Sequence, residues 1–151
     1  RLQQMPGWWS AFWMQSPVIG CSPDPGEAGV ENDIMECFRP GEVIYHCNHC
    51  GGYGADHKEY RIGEGRRNLD RSIFHTFGMY WDENGYIFYI DGEEDGRSAF
   101  PVSHRQQFVL ISTEVNGYRS VGKASDEAKT AAQQGDTFLV DYVRVFQKTD
   151  N

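Results

Sequence analysis

No run of apolar residues in this 151-residue chain approaches the length that a membrane-spanning helix needs, which is about 20 residues. No charged leader with an apolar centre marks a signal peptide, and the chain does not begin with Met, so an earlier leader is compatible with it. There is no Asn-x-Ser/Thr sequon, no internal repeat and no low-complexity tract. Positive charge is scarce: 14 Lys and Arg stand against 22 Asp and Glu, a net charge of -8. That balance argues against nucleic acid or an anionic membrane as partner, because both need cationic surface. A neutral or weakly charged ligand stays open. The glycines of Gly51-Gly52-Tyr53-Gly54 have no Lys-Ser/Thr after them and form no phosphate cradle.

Cysteine is sparse too, with Cys21, Cys37, Cys47 and Cys50 only. An even count permits disulfides, and four cysteines allow three full pairings. The segment His46-Cys47-Asn48-His49-Cys50 holds zinc-type ligands. It is the one such cluster, and His46 and Cys47 point to opposite faces if they lie in a strand. Structural or disulfide-bonded cysteines are therefore the default expectation.

What the chain does have is aromatic residues, at 14 %, and 17 glycines, a composition suited to many strands and turns. Its length suits one domain with a sizeable core. From Trp8 to Gln15 one face reads Trp9, Ala11, Trp13, Gln15 and the other Trp8, Ser10, Phe12, Met14, as in a strand buried on both sides. Pro17 to Gly29 reads as a loop. Further strands are expected at Gly41 to Asn48, after a turn at Arg39-Pro40-Gly41, and at Gln107 to Val115 and Thr137 to Gln147. Ser72 to Trp81 and Tyr86 to Asp91 form a hairpin across Asp82-Glu83-Asn84-Gly85. Gly63 to Asp70 reads as charged and solvated. A short helix opens at Ser125 as N-cap and ends before Gly135.

The chain is organised around Glu31-Asn32-Asp33-Ile34-Met35-Glu36. In a regular strand Glu31, Asp33 and Met35 share a face, and Glu36 is driven toward the core with Ile34. Burying an unpaired carboxylate is costly. One extra residue, a β-bulge near Ile34-Met35, rephases the strand and puts Glu31, Asp33 and Glu36 on one side. Three neighbouring acids raise at least one pKa, which suits chemistry needing one protonated and one ionised carboxyl, as glycoside hydrolysis does.

With that motif, Gly7-Trp8-Trp9-Ser10-Ala11-Phe12-Trp13-Met14-Gln15, Phe74-His75-Thr76-Phe77-Gly78-Met79-Tyr80-Trp81 followed by Ile87-Phe88-Tyr89-Ile90-Asp91-Gly92, and Phe138-Leu139-Val140-Asp141-Tyr142-Val143-Arg144-Val145-Phe146 stand in the same order as in one family. The chain resembles glycoside hydrolase family 16, the laminarinase, lichenase and agarase group. It departs from the family at Ser10, where Pro is usual, and at Ser112-Thr113-Glu114-Val115, where laminarinases have Leu-Asn-Leu-Ala. The resemblance implies an all-β fold, an antiparallel β-sandwich of the concanavalin A-like jelly-roll type. It implies a retaining endo-glycosidase acting on a β-linked polysaccharide of β-glucan or galactan type, with a non-catalytic carbohydrate-binding jelly roll as the alternative. Glu31 would be the nucleophile, Glu36 the general acid/base and Asp33 the group that orients Glu31. Trp9, Trp13, His46, His75 and Trp81 are the substrate-binding candidates, and His49 lies near the same strand. No cofactor is expected for catalysis; a structural calcium at Asp141 is. Family members carry further strands on the N-terminal side, so residues 1–151 are expected to be a single catalytic domain incomplete at that end, or one completed by a second polypeptide. A secreted, periplasmic or cell-surface location follows from the same resemblance.

Overall fold

The structure is a computed structural model describing residues 1–5, 7–37, 43–66, 68–115 and 126–149. Strands β1 (Trp8–Gln15), β2 (Glu31–Cys37), β3 (Ile44–Cys50), β4 (Lys58–Arg66) and β8 (Phe108–Val115) form an antiparallel sheet in the order β4-β3-β2-β1-β8. Strands β5 (Phe77–Asp82), β6 (Gly85–Ile90) and β7 (Glu93–Ser98) form a second sheet. The core lies between them. Met35 and Ile44 of the first sheet cluster with Ile90 of the second, and Ile34 and Ile62 cluster with Tyr86 and Phe88. The expected β-sandwich is present, with its acid strand β2 central in the larger sheet.

The two faces of β1 alternate as its sequence predicts, with Phe12 and Met14 on the core and Trp9, Ala11, Trp13 and Gln15 facing the other way, but the strand is not buried on both sides, since that second face lines an open surface. In β2 the pairing slips by one residue against both neighbours, since Phe12 opposes Met35 while Trp13 opposes Asp33, and Asp33 opposes Cys47 while Glu36 opposes Tyr45. The extra residue sits at Ile34-Met35. Both of these side chains are buried in the core, at 3 % and 1 % exposure, so hydrophobic burial holds the bulge in place.

Before β2, Pro17 to Gly29 contains a one-turn helix, α1 (Pro25–Ala28), with Asp24 capping the Gly26 amide at 2.8 Å. It ends at Gly29, φ 77°, where a Cβ would fall 2.2 Å from that of Ser16. Only glycine lets β1 and β2 approach so closely there.

Two edge strands escape the sequence pattern. β4 runs from residues with no expected strand into the stretch from Gly63 that was expected to be solvated, and of its nine residues only Ile62 is buried. An edge strand with one apolar anchor and outward charges carries no period-2 signal. β7 is equally polar, and its turn is Asp91-Gly92, φ 53° and 82°, the positive pair a tight hairpin demands. The first hairpin arm begins at Phe77, later than expected, because Asp70 draws the Ser72 amide into a turn at 2.9 Å. A helix α2 (Asp126–Gln134) ends before Gly135 as expected; its expected N-cap Ser125 and the Arg39-Pro40-Gly41 turn lie outside the described residues.

The expected closing strand is a correction. Thr137 to Gln147 joins neither sheet. Its backbone exchanges bonds with Arg1 through Leu139, at 2.8 and 2.9 Å, while Val140, Tyr142, Val145 and Phe146 stay exposed. Among the described residues no strand lies beside it to take up the rest of its ladder. No helix of the described residues is long and apolar enough to cross a membrane.

Candidate active site

The face of the larger sheet opposite the core forms the floor of an open cleft of about 530 Å³. Every strand of that sheet contributes: Trp9 and Trp13 from β1, Glu31, Asp33 and Glu36 from β2, Tyr45, Cys47 and His49 from β3, Glu59 and Arg61 from β4, Ser112 and Glu114 from β8. The bulge is what brings Glu36 to this face alongside Glu31 and Asp33. Tyr53 and His57 reach in from the loop after β3.

The three carboxyls have unequal surroundings. Glu31 accepts the Gln15 side-chain amide at 2.9 Å and the Tyr53 hydroxyl, and His49 Nε2 stands 4.0 Å away. Burial and the nearby Asp33 raise its pKa, and these three neighbours pull it back down. Asp33 is 4 % exposed and lies 3.1 Å from His49 Nε2. Its pKa is also raised by burial, with the His49 contact opposing the shift. Glu36 accepts a hydrogen bond from the Trp9 indole N–H at 2.9 Å. Burial, then the charge of Asp33, push it up to about 8. Environment thus separates two carboxyls of the same kind, leaving Glu36 as the one that keeps its proton in neutral solution. Burial pulls the His49 pKa down, but Asp33 and Cys47 outweigh it and hold the imidazole well above its ordinary value.

Of the sequence-predicted residues, Glu31, Asp33, Glu36, Trp9 and Trp13 meet in this cleft, with His49 beside them. Three do not. His46 points through the sheet into the core, 1 % exposed, stacked on Phe88 at 4.9 Å between ring centres. Its Nδ1 lies 2.7 Å from the Ile34 carbonyl and its Nε2 3.2 Å from Asp95. It alternates with Cys47, so once Cys47 faces the cleft His46 cannot. Trp81 packs against Tyr86 and donates its indole N–H to the Ser103 carbonyl at 3.1 Å. His75 bridges Asp91 and the Asp70 carbonyl, each at 2.7 Å, and lines a separate groove with Phe12 and Met35, on the core side of β1 and β2. Both belong to the smaller sheet or its approach, which the larger sheet separates from the cleft.

Asp141 lies on the exposed 137–147 segment, and it joins no group of three His, Cys, Asp or Glu ligand atoms among the described residues. Among the described residues no disulfide joins the four cysteines: Cys21 is exposed and the other three are buried. The zinc-type segment divides between the two faces of β3, and the residues that gather are Asp33, Cys47 and His49.

Tyr53, Gln15, His57, Glu59 and Arg61 were not legible as site residues. The signal for Tyr53 was its Gly51-Gly52 approach, φ 78° and 73°, which turns the chain back toward the cleft after β3. Glu59 and Arg61 share a face of β4, two residues apart, but only if that strand is recognised.

In comparisons with known proteins, the family described as Glycosyl hydrolases family 16 matches residues 1–144. Among curated proteins the chain is similar to the endo-1,3-1,4-beta-glycanase EglC of Rhizobium meliloti (strain 1021), 27 % identical over 145 residues, covering 93 % of this chain and 27 % of that protein. Among solved structures it is similar to the catalytic domain of an endo-1,3-beta-glucanase (laminarinase) from Thermotoga petrophila RKU-1, with TM-score 0.53 and 28 % identity, over 79 % of this chain and 51 % of that one. A mixed linkage glucan glycoside hydrolase of Bacteroides ovatus, solved with an oligosaccharide product, aligns with TM-score 0.56 and 24 % identity over 76 % of this chain and 54 % of that one. The chain spans about a quarter of the curated relative and about half of the solved chains.

Proposed function

The chain belongs to glycoside hydrolase family 16, and from that premise we propose that it is a retaining endo-glycosidase acting on β-glucan. Glu31 is the nucleophile: its carboxylate attacks the anomeric carbon while Glu36 gives its proton to the departing glycosidic oxygen, so the C–O bond breaks as the glycosyl ester forms. Glu36, now ionised, takes a proton from water, which attacks the same carbon and releases Glu31. Asp33 stands between them in the strand. Its charge raises the pKa of both glutamates and its contact with His49 keeps a cation beside Glu31. The Trp9 and Trp13 rings offer apolar faces along the cleft on which a sugar ring stacks.

One observation carries the reading: the bulge at Ile34-Met35 places Glu31, Asp33 and Glu36 on the open face of the sheet, with the two glutamates in contrasting environments. The substrate class rests on similarity to proteins described as an endo-1,3-1,4-beta-glycanase and an endo-1,3-beta-glucanase, and a secreted, periplasmic or cell-surface location follows from the size of such a polymer. Release of reducing ends from mixed-linkage β-glucan, laminarin, agarose and carrageenan tests the proposal, with proton NMR of the first-formed anomer reading retention. Glucan cleavage with a β-anomer first is expected. Binding to a glucan without cleavage would overturn catalysis and leave a carbohydrate-binding module.

A further inference from the structure

Asp33, Cys47 and His49 share the cleft floor in a way glycoside hydrolysis does not call for. Asp33 of β2 and Cys47 of β3 are directly opposed in the ladder, and His49 follows Cys47 by two residues on the same face. One ligand atom from each, a carboxylate oxygen, the thiol sulfur and an imidazole nitrogen, lies within 4.8 Å of the other two. At 3.1 Å, His49 Nε2 and Asp33 Oδ2 are already near the roughly 3.3 Å that separates two N/O ligands on one tetrahedral zinc with bonds of about 2.0–2.1 Å. We propose that these three residues form a site for a zinc-class divalent cation in the floor of the cleft.

The donor set selects the ion. A thiolate with an imidazole and a carboxylate suits zinc, and is too soft for magnesium or calcium. Binding requires His49 Nε2 to be free of its proton and Cys47 to lose its own; both protons go to solvent as the metal–nitrogen and metal–sulfur bonds form. His49 Nδ1 lies 2.9 Å from His57 Nε2, so with Nε2 on the metal the Nδ1–H donates to His57, which fixes the ring. The Glu31 carboxylate beside them adds a negative field that attracts a divalent ion. The fourth position faces the open cleft, where Glu31 Oε1, 4.0 Å from His49 Nε2, stands ready to take it.

Occupancy would engage Asp33 and place two positive charges beside Glu31. The metal-bound form is therefore unable to use Glu31 as a nucleophile, and the site acts as an inhibitory one. That consequence rests on the proposed glycosidase reading; the binding itself does not.

The test begins with chelator-treated protein titrated with cobalt(II). One equivalent should bind, with a thiolate-to-cobalt charge-transfer band in the near ultraviolet and visible bands of four-coordinate intensity, and zinc should displace it. X-ray absorption of the zinc-loaded native protein should show one sulfur among N/O neighbours, a readout that needs no variant. Cys47→Ser should abolish the charge-transfer band and His49→Gln should weaken binding at least ~10-fold, each with a native circular dichroism spectrum; Cys21→Ser and Cys50→Ser should leave the band in place. Two sulfurs per zinc, a band that survives Cys47→Ser, or no band at millimolar cobalt would overturn the proposal. If the glucanase reading also holds, zinc stops turnover and a chelator restores it. Metal binding without any glycosidase activity would sink that reading alone, and activity indifferent to bound zinc would remove the inhibitory role.

Discussion

Trp9 donates its indole N–H to Glu36 Oε1 at 2.9 Å across the β1–β2 pair. That bond favours the ionised carboxyl and opposes the burial that raises Glu36 to about 8. Trp9→Phe keeps the ring and loses the donor. In chelator-treated protein the alkaline limb of kcat/KM against pH should then move up from about 8, while the acidic limb stays. An unmoved alkaline limb would mean that Glu36 is not the acid.

The Tyr53 hydroxyl does for Glu31 what the Trp9 indole does for Glu36. Tyr53→Phe removes a bond that lowers the Glu31 pKa. The acidic limb should rise, so activity falls more at pH 5 than at pH 7. A uniform loss at all pH values would assign Tyr53 to substrate binding.

Glu31→Gln and Glu36→Gln should each lower turnover by about 10²-fold or more. Glu36→Gln should also change stability in a definite direction. The folded pKa of about 8 exceeds the ordinary value of 4.5, so the folded state holds a proton that the unfolded chain releases. Its stabilising effect is complete below about 4.5 and is lost as pH rises through about 8. Removing the ionisable group should therefore raise Tm at pH 8–9 and do little at pH 4. Thermal denaturation across that range checks it, and a lower Tm at high pH would contradict the buried, proton-holding carboxyl.

Asp95 joins the sheets from behind the cleft: it lies 3.2 Å from His46 Nε2 and accepts the Arg66 Nε–H at 3.1 Å. Asp95→Ala leaves both partners buried or half-buried without it, a loss of about 1–3 kcal/mol. Urea unfolding should show that loss with KM for a glucan nearly unchanged. A KM effect as large as the stability effect would mean that His46 communicates with the cleft.

Much of this was written into local sequence. The period-2 pattern of Trp8–Gln15 sorts its side chains into two faces, and the sheet packing then turns Phe12 and Met14 to the core and Trp9 and Trp13 to the cleft. The clash between Glu36 and a regular strand forces the bulge, because an unpaired carboxylate and Ile34 cannot share an apolar interior. The sorting and the bulge are consequences of neighbours along the chain. Placement across it was another matter. His46 and His49 are both histidines in one strand, and only the parity of β3 relative to β2, set when Asp33 pairs with Cys47, sends one into the core and the other to the carboxylates. His75 and Trp81 looked like cleft residues until their hairpin packed in the second sheet. Tyr53, Trp9 and His49 tune the glutamates from positions 13 to 27 residues away or across strands, and charge environments of that kind exist only after the sheet has assembled, since pKa depends on distance in space and not along the chain.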